Sequence, residues 1–152
     1  MRSKMIRDGI KLPDNVLEKL PEAVQAVKMH PEVMALYSLG SAATNELKPL
    51  SDLDFAILLS FRLTKRQRFD KHLDLIGVFN IVFHTDEIDL TILNDASFRF
   101  CFEVLKTGNL LYCKHKAELV DFHNQVVKNY LDFKYFRDSF EHTFLKGIGY
   151  NG

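Results

Sequence analysis

Asp52 and Asp54 stand two residues apart at the head of an apolar run, Ser51-Asp-Leu-Asp-Phe-Ala-Ile-Leu-Leu59. Successive side chains on a β-strand point to opposite faces, so the two carboxylates share one face and Leu53, Phe55, Ile57 and Leu59 share the other. A carboxylate inside an otherwise apolar strand is costly without a partner, and two side by side repel each other unless a cation lies between them. Ten residues separate Asp52 from a Gly40-Ser41 pair at the end of another apolar run, Val33 to Leu39. Glycine permits close backbone approach, and free N–H groups at a helix N-terminus bind phosphate oxygens. With Ser41 as N-cap of a short helix, the turn offers donors to phosphate while the Asp pair offers ligands to a metal. Mg²⁺ is the natural ion, because it takes one or two carboxylates together with substrate phosphates.

A third carboxylate follows. Glu87 to Leu93 alternates polar and apolar residues and reads as a strand with Ile88, Leu90 and Ile92 on one face and Asp89 and Thr91 on the other. If this strand lies beside the one that starts at Asp52, Asp89 joins Asp52 and Asp54. Three carboxylates can hold two metals in the arrangement used for phosphoryl transfer, and Asp89 can serve as the base that takes a proton from an attacking hydroxyl. Glu87 shares that face and is the rival third carboxylate; Asp89 is preferred because it lies deeper in the strand.

The surrounding pattern is that of a small α/β protein. Pro13-Asp14 reads as a helix start with Val16, Leu17, Leu20, Val24 and Val27 at helical spacing, and Pro21 either breaks this helix or stands at the first position of a new one. Val33–Leu39 and Asp52–Leu59 read as strands, with a loop at Asn45–Leu50. A helix capped by Thr64 runs through Phe69, Leu73, Ile76 and Phe79 toward Phe83, and His84-Thr85-Asp86 turns into the third strand. Ser97–Lys106 is helical with Gly108 as its cap, and Leu110–Cys113 is short and extended. From about His115 to Lys146 one long helix is expected, since Leu119, Phe122, Val126, Tyr130, Phe133, Phe136, Phe140 and Phe144 step by three or four residues. At 1.5 Å per residue it runs roughly 45 Å, longer than a small domain needs to cover its own sheet. Residues Leu119 to Phe133 are expected to pack on that sheet, and Phe136, Phe140 and Phe144 to run past it as a contact surface for a partner or a second copy.

Length and composition bound the rest. At 152 residues, with 47% hydrophobic and 26% charged residues, one domain over 1–152 is the expectation. Twenty Lys plus Arg balance twenty Asp plus Glu, which argues against direct binding to a nucleic-acid backbone. Cys101 and Cys113 match no metal or redox spacing and read as reduced, buried thiols. No apolar stretch is long enough for a signal peptide or a membrane span, so a cytoplasmic protein without membrane contact is expected. Arg137 and His142, with four residues between them, share no helical face well and read as a chance spacing.

Leu-Gly40-Ser41, ten residues, then Asp52-Leu-Asp54-Phe resembles the nucleotidyltransferase signature of the DNA polymerase beta superfamily. Glu87-Ile-Asp89-Leu followed by Leu93-Asn94, then Gly108-Asn-Leu-Leu-Tyr112 and Tyr130-Leu-Asp132-Phe133, is similar to the minimal nucleotidyltransferases (MNT), antitoxins paired with HEPN toxins. The resemblance runs from about Val33 to Phe144. It implies the nucleotidyltransferase fold: α/β (α+β), a small mixed β-sheet flanked by helices, with a long C-terminal helix. It further implies that Gly40 and Ser41 contact the triphosphate and that Asp52, Asp54 and Asp89 hold Mg²⁺. The activity it implies is transfer of AMP from ATP to a tyrosine of a partner HEPN ribonuclease, with a homo- or hetero-oligomer formed through the long helix. Two other functions stay open: an antitoxin that masks the toxin by contact alone, and nucleotidyl transfer to a small molecule. One departure separates the chain from the family pattern. Family members often carry Arg or Lys in the loop after Gly-Ser, whereas Ala42-Ala-Thr-Asn-Glu-Leu-Lys48-Pro-Leu offers only Lys48, together with Glu46.

Overall fold

The computed structural model describes residues 3–5, 11–13, 17–40 and 53–147, with side chains over 18–40 and 53–142. Strands β1 (Ser3–Met5) and β2 (Lys11–Pro13) pair antiparallel. A 3₁₀ turn over Leu17–Lys19 leads into α1 (Leu20–Lys28). β3 (Val33–Leu39) and β4 (Leu53–Leu59) follow, then α2 (Lys65–Phe83), β5 (Ile88–Ile92), α3 (Phe98–Thr107), β6 (Asn109–Cys113) and α4 (Lys116–Gly147). The four longer strands form a sheet in the order β5-β4-β3-β6. β4 and β5 run parallel, while β3 is antiparallel to both β4 and β6. This is the mixed sheet with flanking helices that the sequence predicts. α2 supplies the long crossover that a parallel strand pair requires.

The N-terminal reading is corrected. Pro13 closes the strand Lys11–Pro13 and does not open a helix, whereas the alternative of a helix that begins at Pro21 holds: the α-helix starts at Leu20 with Pro21 in its first turn. Proline is tolerated at that place because the first-turn N–H groups have no partner within the helix. Asp14 to Val16 lie outside the described residues, as do the short helix expected after Ser41 and the loop at Asn45–Leu50.

The sheet is covered on both sides. On one face Leu53, Phe55, Ile57 and Leu59 of β4 and Leu90 and Ile92 of β5 pack against Ala23 and Val27 of α1 and Leu75, Phe79 and Phe83 of α2. The Phe55 ring meets Phe79 edge-on at 5.0 Å and stacks on Phe83 at 5.4 Å. On the other face Ala35, Tyr37, Ala56, Leu58 and Leu93 pack against Cys101 and Val104 of α3 and Phe122 and Val126 of α4. β4 is therefore buried on both faces except at Asp54. α2 begins with a reciprocal cap, in which the Gln67 N–H donates to Thr64 Oγ1 at 3.2 Å and the Thr64 N–H to Gln67 Oε1 at 2.8 Å. It ends on His84 in the left-handed region at φ 55. α3 is capped by the Ser97 hydroxyl, which accepts from the Phe100 N–H at 3.1 Å.

Two details of the second face depart from expectation. Gly108 ends α3, but with φ −73 it needs no left-handed backbone. Its glycine is required by space: a Cβ there would lie 2.6 Å from Val104 O, 3.1 Å from Leu39 Cδ2 and 3.3 Å from Tyr37 Cδ2. Gly108→Ala is expected to cost about 1–3 kcal/mol through overpacking. Gly77→Ala on α2, where a Cβ would meet nothing within 4 Å, is expected to be neutral or to stabilise by up to about 1 kcal/mol. Urea denaturation of both variants checks the contrast. The packing of α4 also ends sooner than expected. Tyr130 stacks on Phe102 at 4.2 Å, and beyond it Leu131 and Phe133 are exposed instead of lying against the chain's own sheet.

Cys101 is buried and free, and burial pushes its thiol up to about 11, so it is inert at neutral pH. Cys113 is free but only half-buried, which corrects the expectation of two buried thiols. Among the described residues no helix is long and apolar enough to cross a membrane.

Candidate active site at the β3–β4–β5 strand ends

Three of the five site residues expected from the sequence lie within the described residues: Gly40, Asp54 and Asp89. Asp52 and Ser41 lie outside them. The structure brings the three together. β4 and β5 are parallel neighbours, and their register places Asp54 directly opposite Asp89. Residues opposite each other on neighbouring strands point to the same face, about 4.8 Å apart at the backbone. This face carries Ala56, Leu58 and Leu93 into the cluster under α3 and α4. Asp54 and Asp89 thus stand where the cover of that face runs out, with Asp54 half-buried and Asp89 exposed.

Gly40 completes the local arrangement. Leu39, the last residue of β3, pairs with Asp54, and Gly40 follows it with φ 59. This left-handed conformation costs a residue with a Cβ roughly 1–2 kcal/mol. A Cβ on Gly40 would sit 3.6 Å from Asp54 Oδ2. The backbone therefore turns away from the sheet directly against the carboxylate, and the glycine is explained by its φ, since the space would admit a methyl group. Gly108 lies behind this turn, against the Leu39 side chain.

The register that sets Asp54 opposite Asp89 is held at both ends of the β4–β5 pair. At the near end the Leu53 N–H donates to Glu87 O at 3.1 Å, and the Glu87 N–H to Thr85 Oγ1 at 3.1 Å. Glu87 itself precedes β5, so of the two rivals Asp89 is the one inside the strand. At the far end the Asn94 side chain takes the place of a strand residue. Its Oδ1 accepts from the Leu59 N–H at 2.8 Å and its Nδ2 donates to Leu59 O at 2.9 Å. Arg68 of α2 then fixes the turn after β5. Its Nε lies 3.1 and 3.0 Å from the two Asp95 carboxylate oxygens, its Nη2 lies 2.7 Å from Oδ1, and its Nη1 donates to Leu63 O at 2.9 Å. Sequence reasoning gave no role to Asp95, saw Arg68 only as part of a possible basic patch, Lys65-Arg66-Gln67-Arg68, and noted Asn94 only within a motif.

The Arg68 guanidinium, by its hydrogen bonds, holds the Asp95 carboxyl below the usual carboxylate range. A depressed pKa in the folded state contributes stability above the unfolded value, and this is lost as pH falls through the folded one. Asp95→Asn is therefore expected to flatten the acid side of the stability profile below about pH 4. The pair is partly exposed, so the effect at neutral pH is modest, about 1 kcal/mol or less. Thermal melts between neutral and acid pH, wild type against variant, measure it.

The family model described as Polymerase beta, Nucleotidyltransferase matches residues 22–117. The span contains β3 to β6 and all of the residues named above, and the chain belongs to that nucleotidyltransferase family. Among solved structures, the fold is similar to a chain of a toxin–antitoxin complex with AMP-PNP, at a TM-score of 0.62 and 19% identity over 85% of this chain and 98% of that one. It is also similar to a chain of the toxin–antitoxin complex MntA-HepT, at 0.56 and 19% over 84% and 97%. A third is a complex of tri-AMPylated Shewanella oneidensis HEPN toxin with MNT antitoxin, matched at 0.53 and 19% over 85% and 95%. No curated protein matches the chain by sequence at a significant level.

Proposed function

We propose that the chain is an antitoxin that transfers AMP from ATP to a tyrosine hydroxyl of a partner HEPN ribonuclease. The observation that carries this reading is the in-register pair Asp54 and Asp89 on neighbouring parallel strands, with the left-handed Gly40 against the Asp54 carboxylate. Membership of a nucleotidyltransferase family supports the reaction class, and the fold shared with chains of toxin–antitoxin complexes supports the setting.

Two carboxylates side by side on one face supply oxygen donors only, which fits a hard divalent cation such as Mg²⁺. Asp54 and Asp89, joined by Asp52, would hold it, and when bound it neutralises charge on the triphosphate. Gly40 and Ser41 present backbone N–H groups, and Ser41 a hydroxyl, to the phosphate oxygens. Asp89, the more exposed of the described pair, accepts the proton of the attacking tyrosine hydroxyl. The tyrosine oxygen bonds to the α-phosphorus as the bond to the bridging oxygen breaks, so AMP is retained on tyrosine and pyrophosphate leaves.

The poorly basic loop after Gly40-Ser41 favours a second reading, in which the chain masks the toxin by contact and transfers nothing. Growth of cells that express the partner toxin separates the two. With Asp54→Asn and Asp89→Asn combined, the transfer reading expects neutralisation to fail although the two proteins still co-purify. Full rescue by this double variant would leave masking as the function.

A further inference from the structure

We propose that the groove between β6 and the first two turns of α4 binds an amphiphilic carboxylate, a small molecule with an aliphatic body and one anionic head. β6 ends at Cys113 and α4 begins at Lys116, so strand and helix diverge from a short turn and leave a cleft between them. The cleft holds about 410 Å³. Leu110 of β6 forms one wall, Leu119 and Val120 of α4 the other, and Tyr37 of β3 lies beneath. Tyr37 is buried, whereas Leu110 is 44% and Val120 46% exposed. A concavity with apolar walls and a few polar groups at one end is the usual form of a small-molecule site.

The charges of α4 are sorted between its flanks. Lys116, Leu119, Val120 and His123 lie within one helical stripe and line the groove. Glu118 and Asp121 lie on the other flank, around Phe61. Among the described residues no carboxylate lines the groove, whereas Lys116 and His123 do. Lys116 is the first residue of α4, where the helix dipole also favours negative charge. Tyr37 and Cys113 interact electrostatically, which puts the Tyr37 hydroxyl, a donor, at the Cys113 end of the groove. An anionic head therefore belongs at the end marked by Cys113 and Lys116, with the aliphatic body running along Leu119, Val120 and Leu110 toward His123. From Lys116 to His123 the helix rises roughly 10 Å, the reach of about nine bonds of an extended chain. A cationic amphiphile of the same length meets Lys116 with like charge. The site is separate from the carboxylate pair and does not depend on the transferase reading.

Alkylation of the full chain by iodoacetamide at neutral pH reads occupancy, because Cys113 lines the groove while Cys101 is buried and inert. The probe is decanoate. Intact mass is expected to show one label, mapped to Cys113, and saturating decanoate to slow its addition about tenfold or more. Octanoate is expected to need about tenfold more for the same protection, since two methylenes leave the apolar walls. Decyltrimethylammonium, with an equal chain and the opposite charge, is expected to protect nothing. Lys116→Gln is expected to raise the half-protecting decanoate concentration about fivefold. Val120→Asp, at an exposed position of the wall, is expected to abolish protection without changing the melting temperature of the free chain. A rise in melting temperature with decanoate, absent with decyltrimethylammonium, reads the same binding without the thiol. A chain that millimolar decanoate neither protects nor stabilises would overturn the proposal. Equal effects of the cationic amphiphile, or protection that survives Val120→Asp, would overturn it as well, by removing the charge selection or placing the ligand elsewhere.

Discussion

Asp54→Asn is expected to lower AMP transfer by about 10³-fold while the protein remains folded. Asparagine keeps the size of the side chain and its half-buried place at the head of β4, but it removes the charge that faces Asp89 across the strand pair. If the pair holds a divalent cation, the loss falls on charge stabilisation at the phosphates, and raising Mg²⁺ recovers only part of it. Asp89→Asn is expected to lose as much, with a different response to Mg²⁺. Asp89 is assigned the proton of the attacking hydroxyl, so raising Mg²⁺ recovers none of its loss. Single-turnover transfer of α-labelled ATP as a function of Mg²⁺ distinguishes the two residues. The Gly40 turn belongs to the same unit. Any residue with a Cβ there must hold the left-handed backbone against Asp54 Oδ2, and a β-branched one does so at the greatest cost.

The second large effect is expected far from the carboxylates. Asn94→Ala leaves the buried Leu59 without partners for both its N–H and its C=O. Each unmade bond costs about 1–3 kcal/mol, so a loss of about 2–4 kcal/mol is expected. In a chain of this size that lowers the melting temperature by roughly 5–12 °C. Asn94→Asp is expected to fall between, because its carboxylate still accepts the Leu59 N–H but cannot donate to Leu59 O. Because the Asn94 pair continues the β4–β5 ladder, loosening it also loosens the register that aligns Asp54 with Asp89. Asn94→Ala should therefore lose transfer at temperatures where it is still folded. Thermal melts beside transfer rates at 25 °C test this coupling; a variant that melts early but transfers at the wild-type rate would show that the far end of the ladder does not align the pair.

From Val33 onward the sequence carries most of the fold, because each element has a period of its own. β4 reads as a strand from Asp52, Asp54 and the short unbroken apolar run that follows them, α2 from Thr64 and its apolar steps, and β5 from Ile88, Leu90 and Ile92. The pairing of Asp54 with Asp89 was legible as a condition: if the strands are neighbours, the carboxylates meet, and the register satisfies it. Where the period is absent, reading failed. Pro13-Asp14 has the chemistry of a helix start, yet three-residue strands such as Lys11–Pro13 leave no periodic trace. Asn94 looks like an ordinary turn residue, and its role appears only when Leu59, 35 residues earlier, is set beside it. Gly108 reads as a helix cap, whereas its need for glycine comes from Leu39 and Tyr37 on another element. The long helix was legible in length but not in where its packing stops. Phe133 continues the stripe of Phe122 and Val126, and nothing in the spacing marks Tyr130 as the last residue with a partner ring in α3.

The central claim is tested most directly by the intact mass of the partner HEPN protein after incubation with this chain, ATP and Mg²⁺. The account predicts a gain of one or more AMP units, mapped to tyrosine by fragmentation, and no gain with Asp54→Asn or Asp89→Asn. A partner that is neutralised yet unchanged in mass, or that gains AMP equally from the double variant, would contradict it.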